Sequence, residues 1–190
     1  MRVHAGTPGE SSPLLIVIDM QPGFDDPQFG ARNNPHCELR VADMLDAWRR
    51  KGFAVFFTRH LSSRAGSPLC ADDPRSRIKR EVQPLDGEPV FDNRTYSAFK
   101  VRHFAEAVAR LAPPVIVLTG IATDICVTAT AREAIDLGYR VAIASDASAT
   151  FERKDANCWA EDAHAAALAA LAVSGAQVTS AHALVADLCA

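Results

Sequence analysis

Cys126 and Asp19 are the residues of this chain whose type and setting could do chemistry. Cys126 lies in the segment VIVLTGIATDICVTATAREAIDLGY, from Val115 to Tyr139. The apolar run Val115 to Leu118 is too short to span a membrane and reads as a strand buried on both faces. Thr119 and Gly120 end it, Thr123 offers an N-cap, and Asp124 suits a first helical turn. Ile125, Ala129, Ala134 and Ile135 then recur at roughly helical spacing up to Gly138. Cys126 is therefore expected in the first turn of a helix, among backbone N–H groups that lack partners. Those donors and the helix dipole favour thiolate over thiol, with Asp124 opposing them, and a thiolate is a nucleophile. A cysteine in an apolar setting can also be a small core residue, and it is the strand-to-helix position that points to chemistry.

Asp19 follows a second apolar run, Leu14 to Ile18, directly. Taken alone, an Asp after a strand serves as a turn or capping carboxylate. In an open α/β sheet, however, the carboxyl ends of the strands hold the active site, and Asp19 occupies such an end just as the Cys126 segment does.

The elements that must position these two residues alternate along the chain. Strand candidates are Leu14 to Ile18, Phe53 to Phe57, Pro89 to Phe91, Val115 to Leu118, Arg140 to Ala144 and Gln177 to Thr179. Between them lie amphipathic helix candidates: Glu38 to Lys51, Phe99 to Leu111, the Cys126 helix to Leu137, Trp159 to Val173, and a last helix to Leu188. This order specifies an α/β protein, a three-layer αβα Rossmann-like arrangement around a mostly parallel six-stranded sheet with right-handed crossovers. The irregular stretches Met20 to Cys37 and Arg59 to Asp86 are longer than a compact domain usually carries without a purpose, and both leave the carboxyl edge of the sheet. They are expected to wall a pocket or a subunit contact.

At 190 residues and 48% hydrophobic content, the chain can bury one core, and residues 1–190 read as a single domain with a flexible N-terminal segment at 1–12. A net charge of −3 disfavours nucleic acid or a polybasic membrane surface as partner. The densest basic cluster, Arg75, Arg77, Lys79 and Arg80, reads as a solvated face, with an anion-binding lid as the alternative. The polar N-terminus has no signal-peptide core and no apolar run reaches membrane-spanning length, so a cytoplasmic location is expected. Five scattered cysteines without a CxxC argue against a disulfide framework or a zinc ribbon, and Cys37, Cys70, Cys158 and Cys189 carry no motif.

Three segments in this order, LLIVIDMQPGF, TYSAF and TGIATDICVTATAREAIDLGYRVAIASDA, resemble the isochorismatase-like cysteine hydrolases, the superfamily of nicotinamidases, N-carbamoylsarcosine amidases, and ureidoacrylate and biuret hydrolases. The resemblance runs from Leu14 to about Leu188. It implies that Asp19 is the general base and Cys126 the nucleophile. It also implies a cis peptide between Ile121 and Ala122 that aims the backbone N–H groups of Ala122 and Cys126 into an oxyanion hole. The family's third catalytic residue is a lysine ending the strand before the YSAF motif, and that position falls on Asn93. The chain thus departs from the family where a cation is expected. Asn93 could orient Asp19 through its amide without charge, Arg94, Lys100 or a cationic substrate could supply the cation, or the protein could be a degenerate member that only binds. A unit charge about 4 Å away is worth roughly 4 kcal/mol at an effective dielectric near 20, so its loss should leave the thiol less acidic.

Nicotinamidases of the family bind a metal through Asp and His after the second strand. Here that region holds only His60 among histidines, which argues against a metal, and no cofactor is expected. His60 is read as a pocket, loop or structural residue. Phe24, Tyr96 and Phe151 are pocket candidates that could equally be core. The expected activity is hydrolysis of an amide, ureido or carbamoyl C–N bond of a small molecule through a thioester. Isochorismatase itself cleaves a vinyl ether without a cysteine, so Cys126 favours the C–N reaction. The alternative is a small-molecule binding or regulatory protein. The family's habit, the long loops, and Trp48 and Trp159 as exposed candidates imply a homo-oligomer, a dimer or tetramer.

Overall fold

The computed structural model describes residues 12–153 and 156–189. All but the last residue of the segment expected to be flexible, 1–12, lies outside the described residues.

Six strands form one sheet: β1 Leu14–Ile18, β2 Val55–His60, β3 Val90–Asn93, β4 Ile116–Ile121, β5 Val141–Ala149 and β6 Gln177–Thr179. Their order is β3-β2-β1-β4-β5-β6, and every neighbouring pair is parallel. Five helices cover the faces: α1 Cys37–Lys51, α2 Arg102–Leu111, α3 Thr128–Asp136, α4 Ala160–Val173 and α5 Ala181–Leu188. β1 shows why its sequence is uniformly apolar. Side chains alternate across a strand, so Leu15 and Val17 feed the core shared with Val41, Trp48 and Leu184, while Leu14, Ile16 and Ile18 feed the core shared with Phe104, Ala131 and Leu171. Burying each such side chain contributes about 1.5–3 kcal/mol.

Chain progression reverses at β1. The chain runs outward from β1 through β2 to β3, then crosses back so that β4 lies on the other side of β1. Such a switch point opens a crevice at the carboxyl ends of the two central strands. Ile18 and Gly120 are register partners there. Gly120 has φ +117, and a Cβ on it would stand 2.0 Å from the Ile18 carbonyl oxygen, so only glycine lets the strands run this close.

Four strands run longer than their apolar cores suggest, among them β3, which continues past Phe91 to Asn93. β2 continues through Thr58 and Arg59 to His60 instead of ending at Phe57, because Thr58 has ladder partners on both sides, Ile18 and Phe91. β4 reaches Ile121 and β5 reaches Ala149 on the same account, with a register shift between Leu118 and Gly120. Lateral pairing holds polar residues in extended form where local preference would release them. Trp48 is fully buried, against expectation, and edges onto Phe53, whereas Trp159 is 63% exposed.

The two long loops are tied to each other. Lys79, buried, puts its Nζ 2.5 Å from Asp25 and 2.7 Å from Glu38, and Glu38 takes a forked pair of hydrogen bonds from Arg32 at 2.6 and 2.8 Å. Arg75 bridges Asp26 at 2.9 Å and Asp73 at 2.8 Å. Of the basic cluster, Arg77 and Arg80 are exposed as expected, but Lys79 and Arg75 fasten the loops together.

Candidate active site

Asp19 leaves the end of β1 with φ +51, a left-handed conformation that Asp tolerates better than most residues, and its side chain is completely buried. Thr58 on β2 donates its hydroxyl to Oδ1 at 2.6 Å, while Oδ2 has no hydrogen-bond partner among the described residues. Two residues on, the buried amide of Gln21 grips the end of β2: its Oε1 accepts from the His60 N–H at 2.7 Å, and its Nε2 donates to the carbonyls of His60 at 2.9 Å and Ser76 at 2.8 Å. This clamp fixes where β2 ends and therefore where the His60 ring stands.

Cys126 comes from the other side of the crevice. The peptide from Ile121 to Ala122 is cis, and Thr123–Val127 forms a π-helical turn before α3. Thr123 does not cap this turn with its side chain. Its hydroxyl meets Nδ1 of His164 on α4 at 2.9 Å. Asp124 is likewise engaged away from the sulfur, by the Thr150 hydroxyl and by Arg153 at 2.6 Å. Cys126 itself is 5% exposed. Its sulfur, a carboxylate oxygen of Asp19 and a ring nitrogen of His60 all lie within 4.8 Å of one another.

The electrostatics differ from the expectation of an acidified thiol. Burial above all, then the charge of Asp19, push the Cys126 thiol above its ordinary range, and the Ala122 N–H aimed at the sulfur opposes them only in part. Burial also raises the Asp19 carboxyl, against hydrogen bonding by Thr58 and the proximity of His60. The π-helical turn carries the thiol inward against a carboxylate, where desolvation outweighs the donors and dipole of a helix terminus.

Asn93 is buried at the end of β3, in register with His60, and its Oδ1 accepts from the N–H and the hydroxyl of Thr95, each at 2.8 Å. It is Thr58 that hydrogen-bonds Asp19. Lys100, considered as a substitute cation, is 63% exposed and pairs with Glu133 at 2.8 Å, and Arg94 is exposed. The third side chain brought to Asp19 and Cys126 is His60. The sequence set His60 aside as a histidine without partners at ligand spacing, but the fold supplies those partners from β1 and from the turn after β4. This donor set would suit a thiophilic divalent cation, although such an ion would occupy the sulfur that attacks. Thr58 and Gln21 were missed. The signal for Thr58 was alternation within VFFTRH, which puts Thr58 and His60 on one face of β2.

Cys126 and His60 open into a cavity of about 230 Å³. Phe24, Phe29, Leu69 and Ile125 supply apolar wall, while His60, Ser62, Arg64, Ser67 and Gln28 supply polar groups. Tyr96 and Ala122 also line it. Phe151 is not part of the lining. It stacks on Phe24 at 6.0 Å and supports the wall from behind.

Residues 13–183 match the isochorismatase domain. The chain is 32% identical over 148 residues to the isochorismatase family protein YrdC of Bacillus subtilis, covering 78% of this chain and 79% of that one. It is 30% identical over 160 residues to Nicotinamidase 3 of Arabidopsis thaliana, covering 77% and 78%. A solved structure of an isochorismatase-family protein from Chromobacterium violaceum superimposes with a TM-score of 0.88 at 33% identity, covering 99% and 98%.

Proposed function

The chain belongs to the isochorismatase family of hydrolases, and we propose that it is a cysteine hydrolase that cleaves a small amide, ureido or carbamoyl C–N bond through a thioester on Cys126. The observation that carries this reading is the meeting of Cys126, which lines a cavity, with the buried carboxylate of Asp19 behind it, within 4.8 Å of the sulfur. Asp19 takes the thiol proton as the sulfur attacks the carbonyl carbon, and the backbone N–H groups of Ala122 and Cys126 receive the oxyanion. When the tetrahedral intermediate collapses, Asp19 returns the proton to the leaving nitrogen. Water that gives its proton to the same carboxylate then hydrolyses the thioester.

Both groups being raised suits this cycle. A raised thiol needs a base to take its proton as it attacks, and a carboxylate of raised pKa accepts that proton more readily. Thr58 holds Asp19 in place, and His60, beside both, is the polar group that answers for the family's lysine. The similarity to a nicotinamidase agrees with C–N cleavage. The neutral Asn93 and the raised thiol favour a second reading, a binding protein on the same pocket. Incubation with a panel of amides, ureas and carbamoyl compounds, followed by mass detection at Cys126, separates the two. An acyl adduct that turns over supports the hydrolase, whereas ligand protection of Cys126 without any adduct or product refutes it.

A further inference from the structure

Each polar side chain of the lining, Gln28, His60, Ser62, Arg64, Ser67 and Tyr96, carries at least one hydrogen-bond donor. Arg64 is the one residue with a permanent positive charge in the lining, and no Asp or Glu is among the lining residues. Among the described residues its guanidinium has neither an ion pair nor a hydrogen bond. Arg64 is exposed where it lines the cavity, whereas elsewhere in the chain Arg32 is paired with Glu38, Arg49 with Glu88, Arg59 with Asp92, and Arg75 with Asp26 and Asp73.

Arg64 also sits in a built loop. The Ser62 N–H closes the loop base on the Leu69 carbonyl at 2.9 Å, the Ser67 N–H reaches the Arg64 carbonyl at 3.1 Å, and the Cys70 thiol donates to that carbonyl at 3.0 Å. Ser62 Oγ accepts from the Arg64 N–H at 3.1 Å and Ser67 Oγ accepts from the Leu69 N–H at 3.2 Å. A hydroxyl that accepts still has a proton to give, and neither serine donates to a protein acceptor among the described residues. One guanidinium and two hydroxyls therefore offer donors to the cavity and ask for acceptors in return.

We infer that Arg64, Ser62 and Ser67 form an anion subsite, and that the substrate is a small amide, ureido or carbamoyl compound that carries a carboxylate. The inference rests on the hydrolase reading above and names its substrate class. A planar guanidinium presents paired N–H groups that match a carboxylate in a forked geometry. The carboxylate would lie against the loop, the apolar middle of the molecule against Phe24, Phe29 and Leu69, and the scissile carbonyl over Cys126. The same Arg64 disfavours a cationic substrate as the source of the charge missing at Asn93. A cavity of about 230 Å³ restricts the whole to a compact molecule, below the ~300–1,000 Å³ usual for larger ligands.

The test compares alkylation of Cys126 by iodoacetate and by neutral iodoacetamide, read at the Cys126 peptide by mass spectrometry in the full chain. Arg64→Gln is expected to slow iodoacetate by about fivefold or more relative to iodoacetamide, Arg64→Lys to restore most of the ratio, and added salt to erase the difference. A ratio unchanged in Arg64→Gln overturns the subsite while leaving the nucleophile standing. Cys126 unreactive toward both reagents strikes the hydrolase reading itself, and the subsite falls with it. On matched amides with and without a carboxylate, Arg64→Gln should raise KM at least fivefold for the acid only; an equal effect on both overturns the assignment.

Discussion

Two groups of ionisable side chains lie near the carboxyl edge of the same sheet, and burial has opposite results in them. In the loop clamp, Glu38 is surrounded by Arg32 and Lys79. Burial alone would raise its pKa, but hydrogen bonds from both cations outweigh it and hold Glu38 at about 2. Around Cys126, Asp19 is more deeply buried, receives one hydroxyl at 2.6 Å, and has no hydrogen-bond partner for Oδ2 among the described residues, so burial prevails and its pKa rises. A buried carboxylate with cations on two sides becomes a fastening. One whose second oxygen is left open toward a thiol keeps its capacity to take a proton. The clamp also fixes the two loops that carry the pocket wall, so the first group holds the frame in which the second can work.

The largest expected effect lies in the open group. Cys126→Ala should reduce C–N hydrolysis by at least about 10³-fold, since the covalent step is lost, with a Tm within a few degrees of wild type. Asp19→Asn should cost about 10²–10⁴-fold as the base is removed. Yet the pH midpoint of Cys126 alkylation should fall, because the charge that raises the thiol is gone. A midpoint that rises in Asp19→Asn would show that the two groups are not in electrostatic contact.

The clamp should respond in stability. Lys79→Met leaves Asp25 without its cation and Glu38 with one cation of two, and an expected loss of about 2–3 kcal/mol in urea unfolding follows from breaking a buried pair. An unchanged midpoint of unfolding would mean that the pair only balances its own desolvation.

Asn93→Lys should convert the open group toward the closed kind. A cation at the end of β3 beside His60 would stabilise both Asp19 carboxylate and Cys126 thiolate, lowering the alkylation midpoint by roughly one pH unit. An alkylation profile that does not move would place residue 93 outside electrostatic reach of the sulfur.

The smallest effects distinguish the two carboxylates by sign. Glu38 has a folded pKa of about 2 against an ordinary 4.5, so its contribution is full above pH 4.5 and is lost as pH falls toward 2. Asp19 is raised from 3.8, so its contribution is full below pH 3.8 and is lost as pH rises through the folded value. Unfolding of Glu38→Gln should therefore converge with wild type near pH 2. Asp19→Asn should be the more stable protein at pH 7, by about 1 kcal/mol, a trade of stability for function. Parallel pH curves for the two variants would remove the contrast.

Much of this was legible in the chain itself. Continuous apolar runs such as Leu14 to Ile18 are needed only where a strand is covered on both faces, so they announce a parallel sheet between helices. Alternation of strands with helices then leaves few topologies. Cys126 and Asp19 were also legible, because each follows such a run and the carboxyl ends of parallel strands gather at one edge. Less legible were the polar ends of strands. Thr58 and His60 follow the apolar part of β2, and their extended conformation depends on pairing with β1 and β3, which no local preference encodes. The expected exposure of Trp48 failed for a related reason, since α1 turns that face toward the sheet and only packing decides which face that is.

What the sequence determined by itself was the order of elements, the parallel sheet, and the arrival of a cysteine and an aspartate at one edge, since periodicity and chain order carry that information. Tertiary structure alone decided that His60 joins them while Asn93 bonds to Thr95, that Lys79 is a buried fastening, and that the thiol is raised in pKa. Each of these depends on distances between groups far apart in the chain and on how much water is excluded around them. Coulomb energies and desolvation act through space, and neither is written in the spacing of residues along the chain.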